Sequence, residues 1–327
     1  MIGWLYAQIG NIRNSLYEKG FLKTHTLGAP TISVGNITMG GTGKTPLVAY
    51  IARILTEKNQ KVCILSRGYG REDPGDRVLV SDGEKVLAGA RVAGDEPFEL
   101  AQKLGGKAVI ISDADRVSAA EWAREKFDID VFVLDDAFQH RQATRDLDIV
   151  CIDATSPFGK GIKNMLREGP KNLHRADAVV ITRADLSENI DDLRLSLAHL
   201  GPKNIFTSRN KISRILPIAG SGTSASKKAL AFCAIGNPGS FFTQLKLAGF
   251  DLVAEKVFRD HYRYQQKDVL ELEKMARESG ADLMLTTAKD AGKLKELKFE
   301  LPCLKVENEN VIDDENAFRA LIYSVLS

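Results

Sequence analysis

The feature that most constrains the fold is a glycine-rich loop set between a strand pattern and a helix pattern. Residues 31–34 read TISV, residues 35–45 read GNITMGGTGKT, and apolar residues at helical spacing follow at Leu47, Val48, Ile51, Ile54 and Leu55. In this order the glycines let successive backbone amides face one point at the positive end of a helix. The segment therefore predicts a loop that binds the phosphates of a nucleoside triphosphate.

Each polar residue of the loop has an expected role. Lys44 is expected to reach the terminal phosphates, and the Thr45 hydroxyl is expected to ligate Mg²⁺. The amides expected to face the phosphates belong to Gly40, Gly41, Thr42 and Gly43. Thr38 stands where the usual pattern has its first glycine, and Met39 stands where partitioning and metallochaperone nucleotidases carry a signature lysine. The methionine argues against those two families.

Strand and helix patterns alternate along most of the chain. Apolar strand patterns occur at residues 31–34, 62–66, 108–112, 131–134, 149–152, 178–182 and 204–208. Because helical patterns separate most of them, we predict an α/β fold with a parallel sheet flanked by helices, of the P-loop NTPase-like kind. After the serine- and glycine-rich stretch at 220–226, a second, smaller α/β lobe is predicted.

These patterns predict four parts of the chain. They are an N-terminal amphipathic helix at 1–27, a P-loop core at 28–212, a linker or hinge at 213–228 and a C-terminal α/β lobe at 229–327. The N-terminal part has Trp4 and other apolar residues at helical spacing, with Arg13, Lys19 and Lys23 among its polar positions. Such a helix fits a membrane interface or ordinary packing on the domain, and the pattern alone favours packing.

Composition excludes several classes of protein. The formal net charge is +2, so no strong field indicates a nucleic-acid partner. The four cysteines and five histidines are scattered, which disfavours a structural zinc site and suits reduced thiols in a cytosolic setting. No apolar run is long enough to span a bilayer, and the N-terminus lacks the pattern of a signal peptide.

A pair of carboxylates follows the apolar run at 131–134. Asp135 and Asp136 would lie at the carboxyl edge of the sheet beside the phosphate loop, where Mg²⁺ needs oxygen ligands. A solvated acidic pair at a strand end is the ordinary alternative. With the phosphate loop upstream, we assign Asp135 or Asp136 to the metal.

Other polar residues have plausible structural explanations when each is taken alone. Asp95 could cap a helix, Arg116 could be an exposed helix arginine, and His140 could be a turn residue bonded to the backbone. Transfer of phosphate to an alcohol nevertheless requires a carboxylate or imidazole near the hydroxyl that loses its proton. Asp95 and His261 are the available candidates for that role.

Taken together, the motifs resemble those of the tetraacyldisaccharide 4'-kinase family, which phosphorylates the lipid A precursor. The segments that carry the resemblance are residues 35–46, 66–70, 94–97, 135–141, 166–170, 260–261 and 287–290, which read GNITMGGTGKTP, SRGYG, GDEP, DDAFQHR, LREGP, DH and TAKD. They occur in matching order over nearly the whole chain. The combination is far more specific than the phosphate loop alone.

The resemblance implies ATP-dependent transfer of the γ-phosphoryl group to the 4'-hydroxyl of a tetraacylated glucosamine disaccharide 1-phosphate, giving lipid IVA. It implies that Lys44 stabilises the transferring phosphate, that Asp95 acts as base with His261 as its partner, and that Thr45, Asp135 and Asp136 hold Mg²⁺. Further contacts carried over by motif are Arg67, Arg116, His140, Arg167 and Glu168. It also implies peripheral attachment to the cytoplasmic face of the inner membrane through the N-terminal helix.

Two other classes of function remain open from the residues. Thr182-Arg183-Ala184-Asp185 is similar to a guanine-reading Thr-Lys-x-Asp motif, with the lysine replaced by arginine, which suggests a GTP-driven switch or a metallochaperone. A comparison of ATP and GTP binding would separate these from a kinase. A membrane-bound scaffold that uses nucleotide only for stability would transfer no phosphate to a lipid.

Overall fold

The computed structural model describes residues 13–159, 165–218, 222–260 and 262–326. The chain forms two compact units. The first contains the described residues up to Arg209 together with those from Asn310 onward, and the second contains those from Asn210 to Glu309.

Twelve strands are present in the described part of the chain. Their bounds are β1 Thr31–Asn36, β2 Val62–Ser66, β3 Val78–Asp82, β4 Val109–Ser112, β5 Val131–Asp135, β6 Leu147–Asp153, β7 Ala178–Thr182, β8 Asn204–Pro217, β9 Lys228–Cys233, β10 Asp251–Val257, β11 Leu283–Thr287 and β12 Cys303–Ile312.

The helices connect most of these strands. Their bounds are α1 Lys44–Glu57, α2 Ala90–Ala93, α3 Asp95–Leu104, α4 Arg116–Lys126, α5 Ile190–Ala198, α6 Pro238–Leu247, α7 Gln266–Ser279, α8 Ala288–Ala291 and α9 Glu315–Tyr323. Residues 13–18 are also helical. Among the described residues, none of the helices combines the length and the apolar character needed to cross a bilayer.

The sheet of the first unit has the order β8-β7-β6-β1-β5-β2-β4-β3. Its described pairs are parallel except for β3, which runs antiparallel to β4. The predicted α/β fold with a parallel sheet is therefore confirmed. Because β1 lies between β5 and β6, the loop after β1 emerges at the carboxyl edge of the sheet beside the ends of both neighbours.

Both faces of this sheet are apolar, as expected for parallel strands under helices. Along β5, Val131 and Val133 belong to the core that includes α1, whereas Phe132 and Leu134 belong to the core that includes α4. Asp115 starts α4 as its N-cap, and its carboxylate accepts the amides of Val117 and Ser118 at 3.1 Å each. The polar residues at the strand ends therefore follow strands that are packed on both faces.

The strands of the second unit have the order β10-β9-β11-β12-β8. Here β9 pairs in parallel with β10 and β11, and β11 pairs in parallel with β12. Apolar residues of β9 and β11 enter cores on both faces of this sheet, with α6 contributing to one core and α7 to the other.

The observed division differs from the predicted boundaries in two places. Strand β8 continues to Pro217, so part of the predicted linker is sheet. The C-terminal residues from 310 belong to the first unit, because Phe318 of α9 is fully buried in its core and the Tyr50 hydroxyl donates to Glu315 at 2.8 Å. Of the predicted N-terminal helix, residues 1–12 lie outside the described residues.

Candidate phosphate-binding site

The phosphate loop leaves β1 through two residues with little room around them. A Cβ on Gly35 would lie 2.5 Å from the backbone nitrogen of Phe138, so the loop after β5 packs directly against this position. The next residue, Asn36, is fully buried and donates from Nδ2 to the Thr42 hydroxyl at 2.9 Å. This bond joins the two ends of the glycine-rich segment and defines the loop.

Lys44 begins α1 immediately after Gly43, which has a positive φ of 82°. Its Nζ lies 3.2 Å from Oδ1 of Asp136, and the residue is 7 % exposed. Burial alone would lower the pKa of Lys44, but the carboxylates of Asp136, Glu96 and Asp135 raise it above its usual value. The ammonium is therefore charged at neutral pH and available to an incoming phosphate.

Asp135 ends β5 and is fully buried. Its Oδ2 accepts a hydrogen bond from the Ser66 hydroxyl at 3.0 Å, whereas its buried Oδ1 has no hydrogen-bond partner in the described chain. Burial, together with the charges of Glu96 and Asp136, raises the pKa of Asp135 to about 7. Such an acceptor, buried and half satisfied, is expected where a cation or a proton completes the site.

Asp136 is already paired on both oxygens. Arg167 donates to Oδ1 and Oδ2 at 2.8 Å each, and Lys44 adds the ion pair described above. Burial alone would raise the pKa of Asp136, but Lys44 and Arg167 hold it well below its usual range. Asp136 also has a positive φ of 52°, a backbone conformation that is uncommon outside glycine and recurs at functional sites.

The residues present fit a magnesium ion. One oxygen of Asp135 has no hydrogen-bond partner in the part of the chain that the structure describes, and Thr45 follows Lys44 at the start of α1. Within the described ranges, no three or more histidine, cysteine, aspartate or glutamate side chains gather into a metal-binding group. A few protein oxygens supplemented by phosphate and water are what Mg²⁺ takes in nucleotide sites. Asp135 fits this role better than Asp136, because both oxygens of Asp136 bind cationic side chains.

Two of the predicted ligand contacts, Arg116 and Arg67, differ in how far they are buried. Arg116, the first residue of α4, is 4 % exposed and lies close enough to Asp135 and Asp136 for their charges to stabilise its guanidinium. Arg67 follows β2 and is exposed, so its side chain is available to a ligand. The structure thus brings Arg116 to the carboxylates and leaves Arg67 at the surface beyond the strand end.

His140 lies in the turn after the carboxylates. Its Nε2 is buried and has no hydrogen-bond partner among the described residues. Burial, with the charges of Arg116 and Arg145, lowers the pKa of His140 to about 4. The imidazole is therefore neutral at physiological pH, so it can offer a hydrogen bond to a ligand but not a positive charge.

Glu168 is bound to protein groups. It is 2 % exposed, and its Oε2 accepts from Asn14 at 3.0 Å, from Asn172 at 2.9 Å and from Arg175 at 2.5 Å. Asn14 belongs to the helical stretch that precedes β1, so this carboxylate attaches that stretch to the segment that carries Arg167. The observed contacts of Glu168 are those of a residue that holds the site together.

Of the predicted base, Asp95, and its predicted partner, His261, the structure describes only the base. Asp95 is the first residue of α3, directly after Gly94, whose φ is 93°. A Cβ on Gly94 would lie 2.9 Å from the carbonyl carbon of Gly68, so the start of α3 packs against the turn that follows Arg67. His261 lies outside the described residues.

For four residues of the site, Ser66, Glu96, Thr182 and Arg183, the sequence analysis predicts no role at the phosphate loop or the carboxylates. Ser66 binds Asp135, and Glu96 acts electrostatically on both Lys44 and Asp135. Thr182 and Arg183 donate to carbonyl oxygens of the phosphate loop. Their position at the end of β7 was a usable signal for the last two, because parallel strands deliver their ends to the same edge of the sheet.

Lys44→Met is expected to lower the turnover of phosphoryl transfer about a hundredfold, because a charged donor aimed at developing negative charge is typically worth that much. The measurement is steady-state kinetics with ATP as the varied substrate. Lys107→Met, at an exposed position, is the control and should retain wild-type turnover. Turnover of Lys44→Met within threefold of wild type would contradict the assignment.

Comparison with known proteins gives consistent matches along the chain. A family model described as tetraacyldisaccharide-1-P 4'-kinase matches residues 1–327. Tetraacyldisaccharide 4'-kinase of Desulfotalea psychrophila is 38 % identical over 326 residues, covering 96 % of this chain and 93 % of that relative. The protein of the same name from Chlorobium phaeovibrioides is 36 % identical over 339 residues, with 98 % and 95 % covered.

A solved structure is similar as well. It is a crystal structure of LpxK from Aquifex aeolicus, described as an apo form in complex with ATP. The TM-score is 0.76 at 31 % sequence identity, and the match covers 100 % of this chain and 98 % of that one.

Proposed function

The chain belongs to the tetraacyldisaccharide 4'-kinase family and is a phosphotransferase, and from this premise we propose that it transfers the γ-phosphoryl group of ATP to the 4'-hydroxyl of a tetraacylated glucosamine disaccharide 1-phosphate. The product would be lipid IVA. One observation carries the assignment of chemistry to residues: Lys44 of the glycine loop pairs with Asp136, next to the buried carboxylate of Asp135, whose Oδ1 has no hydrogen-bond partner among the described residues.

Each part of the site has a proposed role. The amides of Gly40, Gly41, Thr42 and Gly43 bind the phosphate oxygens at the start of α1, where the helix dipole favours negative charge. Lys44 moves part of its interaction from Asp136 to the transferring phosphate. Arg167 stays on Asp136 and keeps that carboxylate charged and oriented.

Thr45 and Asp135 would hold Mg²⁺, with Asp136 beside them. When bound, the ion neutralises charge on the phosphate oxygens and helps to align them. Arg116 and Arg67 add positive charge close to the carboxylates and at the surface respectively. His140 contributes a neutral hydrogen-bonding group.

Asp95 is the proposed base for the acceptor. Its carboxylate accepts the proton of the 4'-hydroxyl as the new oxygen–phosphorus bond forms and the bond to the leaving ADP oxygen breaks. His261 is proposed as its partner, which holds Asp95 in the charged, oriented form. This pairing is supported by the family motif.

Membrane contact is proposed for the acceptor side, because the substrate is a lipid. Leu16 and Phe21 are exposed apolar residues, the latter at 73 %, and Lys19 and Lys23 beside them are exposed cations. Apolar side chains interleaved with lysines suit the interface of an anionic bilayer. We propose that this stretch and the residues before it attach the protein to the cytoplasmic face of the inner membrane.

The decisive assay incubates the purified protein with Mg²⁺, ATP and the disaccharide 1-phosphate in mixed micelles and detects a second phosphate on the lipid. ATP should support transfer and GTP should support it far less. The GTP-switch alternative predicts the reverse preference and no lipid phosphate, and a scaffold predicts nucleotide binding without transfer. The family assignment favours the kinase.

His261→Ala is expected to lower turnover at least tenfold more than it lowers ATP affinity, because a partner of the base acts in the chemical step and not on the nucleotide. Turnover is measured at saturating ATP, and affinity is measured by titration calorimetry without acceptor. His199→Ala, at an exposed helix end, serves as the control. Equal losses in the two quantities would count against the pairing.

A further inference from the structure

Two consecutive residues at the end of β7 bind two consecutive carbonyl groups of the phosphate loop. The Thr182 hydroxyl donates to the carbonyl oxygen of Thr42 at 2.9 Å, and the Arg183 guanidinium donates from Nη2 to the carbonyl oxygen of Gly41 at 2.6 Å. A Cβ on Gly43 would lie 3.2 Å from the Thr182 side chain, so the loop rests closely on this strand end.

Arg183 also binds a carboxylate at the end of β6. Its Nη1 donates to Oδ2 of Asp153, the last residue of β6, which lies opposite Thr182 in the pairing of β6 with β7. The Oδ1 atom of Asp153 accepts the amide of Thr155 at 3.0 Å and its hydroxyl at 2.8 Å. Arg183 and Asp153 are 8 % and 6 % exposed, so the pair is shielded from water.

The backbone of Arg183 also departs from ordinary geometry. Its φ of 55° lies in the left-handed region, where a non-glycine residue is disfavoured. A conformation of this kind persists only where the surroundings hold it, and it is found most often at functional sites. Here it turns the side chain that follows β7 back toward the loop between β1 and α1.

We propose that Arg183, together with Thr182 and Asp153, is a positioning device for the phosphate loop. A peptide group is planar and trans, so its N–H points opposite to its C=O. Fixing the Gly41 carbonyl therefore fixes the direction of the Thr42 N–H, and fixing the Thr42 carbonyl fixes that of the Gly43 N–H. Both amides are then aimed at the phosphate before the nucleotide arrives.

These hydrogen bonds also disfavour an alternative loop conformation that would repel the phosphate. A glycine-rich loop can rotate its peptide groups at small energetic cost, and a rotated group would present a carbonyl oxygen to the phosphate. The bonds from Thr182 and Arg183 engage those oxygens on the side of β7. This explains why the position that resembles the lysine of a guanine-reading motif is an arginine: the side chain must reach a carboxylate and a carbonyl at once, and a guanidinium has donors for both.

The test measures ATP affinity in the absence of acceptor, by titration calorimetry with Mg²⁺. Arg183→Asn is chosen because asparagine tolerates the left-handed backbone while it removes the guanidinium. We expect its ATP dissociation constant to rise about tenfold or more, as for loss of a charge-assisted hydrogen bond that orders the binding site. Arg194→Asn is the matched control, since Arg194 is exposed and also donates to a backbone carbonyl, that of Ile205, at 3.0 Å.

A second variant keeps the test informative if loss of the ion pair with Asp153 destabilises Arg183→Asn. Thr182→Val keeps shape and charge but removes the hydroxyl that binds Thr42, and it should raise the dissociation constant severalfold with little change in Tm. Arg183→Lys should recover only part of the lost affinity. ATP affinity unchanged in both Arg183→Asn and Thr182→Val would overturn the proposal.

This inference rests on the proposed function, and different experimental results would contradict the inference and the proposed function. If the wild-type protein binds no ATP, the proposed function is wrong. If the wild-type protein binds ATP and both variants bind it equally well, only the positioning role is wrong. A purely structural role would lower Tm in Arg183→Asn while leaving the ATP dissociation constant, measured well below that Tm, unchanged.

Discussion

Asp135→Asn is expected to lower turnover about a thousandfold or more and at the same time to raise the stability of the metal-free protein. The loss of turnover follows because an amide is a poor ligand for Mg²⁺, whose electrostatic contribution to phosphoryl transfer amounts to several kcal/mol. The gain in stability follows from burial: the carboxylate is fully buried, and Ser66 binds only one of its oxygens.

The pH dependence of this effect has a definite sign. The pKa of Asp135 is raised from 3.8 to about 7 in the folded protein. Between these values the folded state retains a proton that the unfolded state has lost, so stability falls as pH rises through this window and the penalty is complete above about 7. Asparagine removes that penalty, and the rise in Tm should therefore be larger at pH 8 than at pH 5.

Thermal unfolding of the metal-free protein at both pH values and turnover with Mg²⁺ and ATP provide the measurements. Asp128→Asn is the control, because Asp128 is exposed and forms an ion pair with the exposed Lys61 at 2.6 Å. A variant of Asp135 that is active within tenfold of wild type, or that is less stable than wild type at pH 8, would contradict the assignment. In the wild type, Mg²⁺ affinity should decline as pH falls below about 7, since the ion competes with the proton.

Asp95→Asn is expected to lower turnover about a thousandfold while ATP affinity stays within about twofold of wild type. General-base catalysis by a positioned carboxylate typically contributes a factor of this size, and the amide cannot accept the proton. The substitution preserves side-chain shape at the first position of α3, so the packing of Gly94 on Gly68 should be retained.

Glu99→Gln provides the matched control on the same helix. Glu99 forms an ion pair with Lys103 at 3.2 Å, so its substitution changes a carboxylate of α3 that has no proposed part in the chemistry. Its turnover should match that of the wild type. Parallel loss of turnover and ATP affinity in Asp95→Asn would indicate that Asp95 supports the nucleotide site and is not the base.

The site could be predicted to the extent that its residues follow strand ends. The loop after β1 and the carboxylates after β5 both follow short apolar runs, and parallel strands bring their carboxyl ends to one edge. Lys44, Asp135 and Asp136 were identified in this way, and the structure brings them together. The distinction between the two carboxylates could not be predicted, because it depends on Arg167 and Ser66, which lie far away in the chain.

The C-terminal boundary of the second lobe also could not be predicted from local sequence patterns. The pattern at residues 315–323 predicts an amphipathic helix equally well for either unit, and only the burial of Phe318 beside Tyr50 and Phe206 assigns it to the first. Glu168 is another case. The family motif implies a ligand contact for Glu168, which stays a prediction, whereas its hydrogen bonds to Asn14, Asn172 and Arg175 could not be predicted from the sequence.

The sequence alone determined the α/β class, the phosphate loop, the acidic strand end and the family, because each is written in local periodicity or in motifs of fixed spacing. Tertiary structure decided which charges meet and which remain without a partner. The burial of Asp135, the two cations on Asp136 and the bonds from Thr182 and Arg183 to the loop depend on segments up to 142 residues apart in the chain. The energies of these contacts arise from desolvation and from the directions of hydrogen bonds, which exist only once the sheet has assembled.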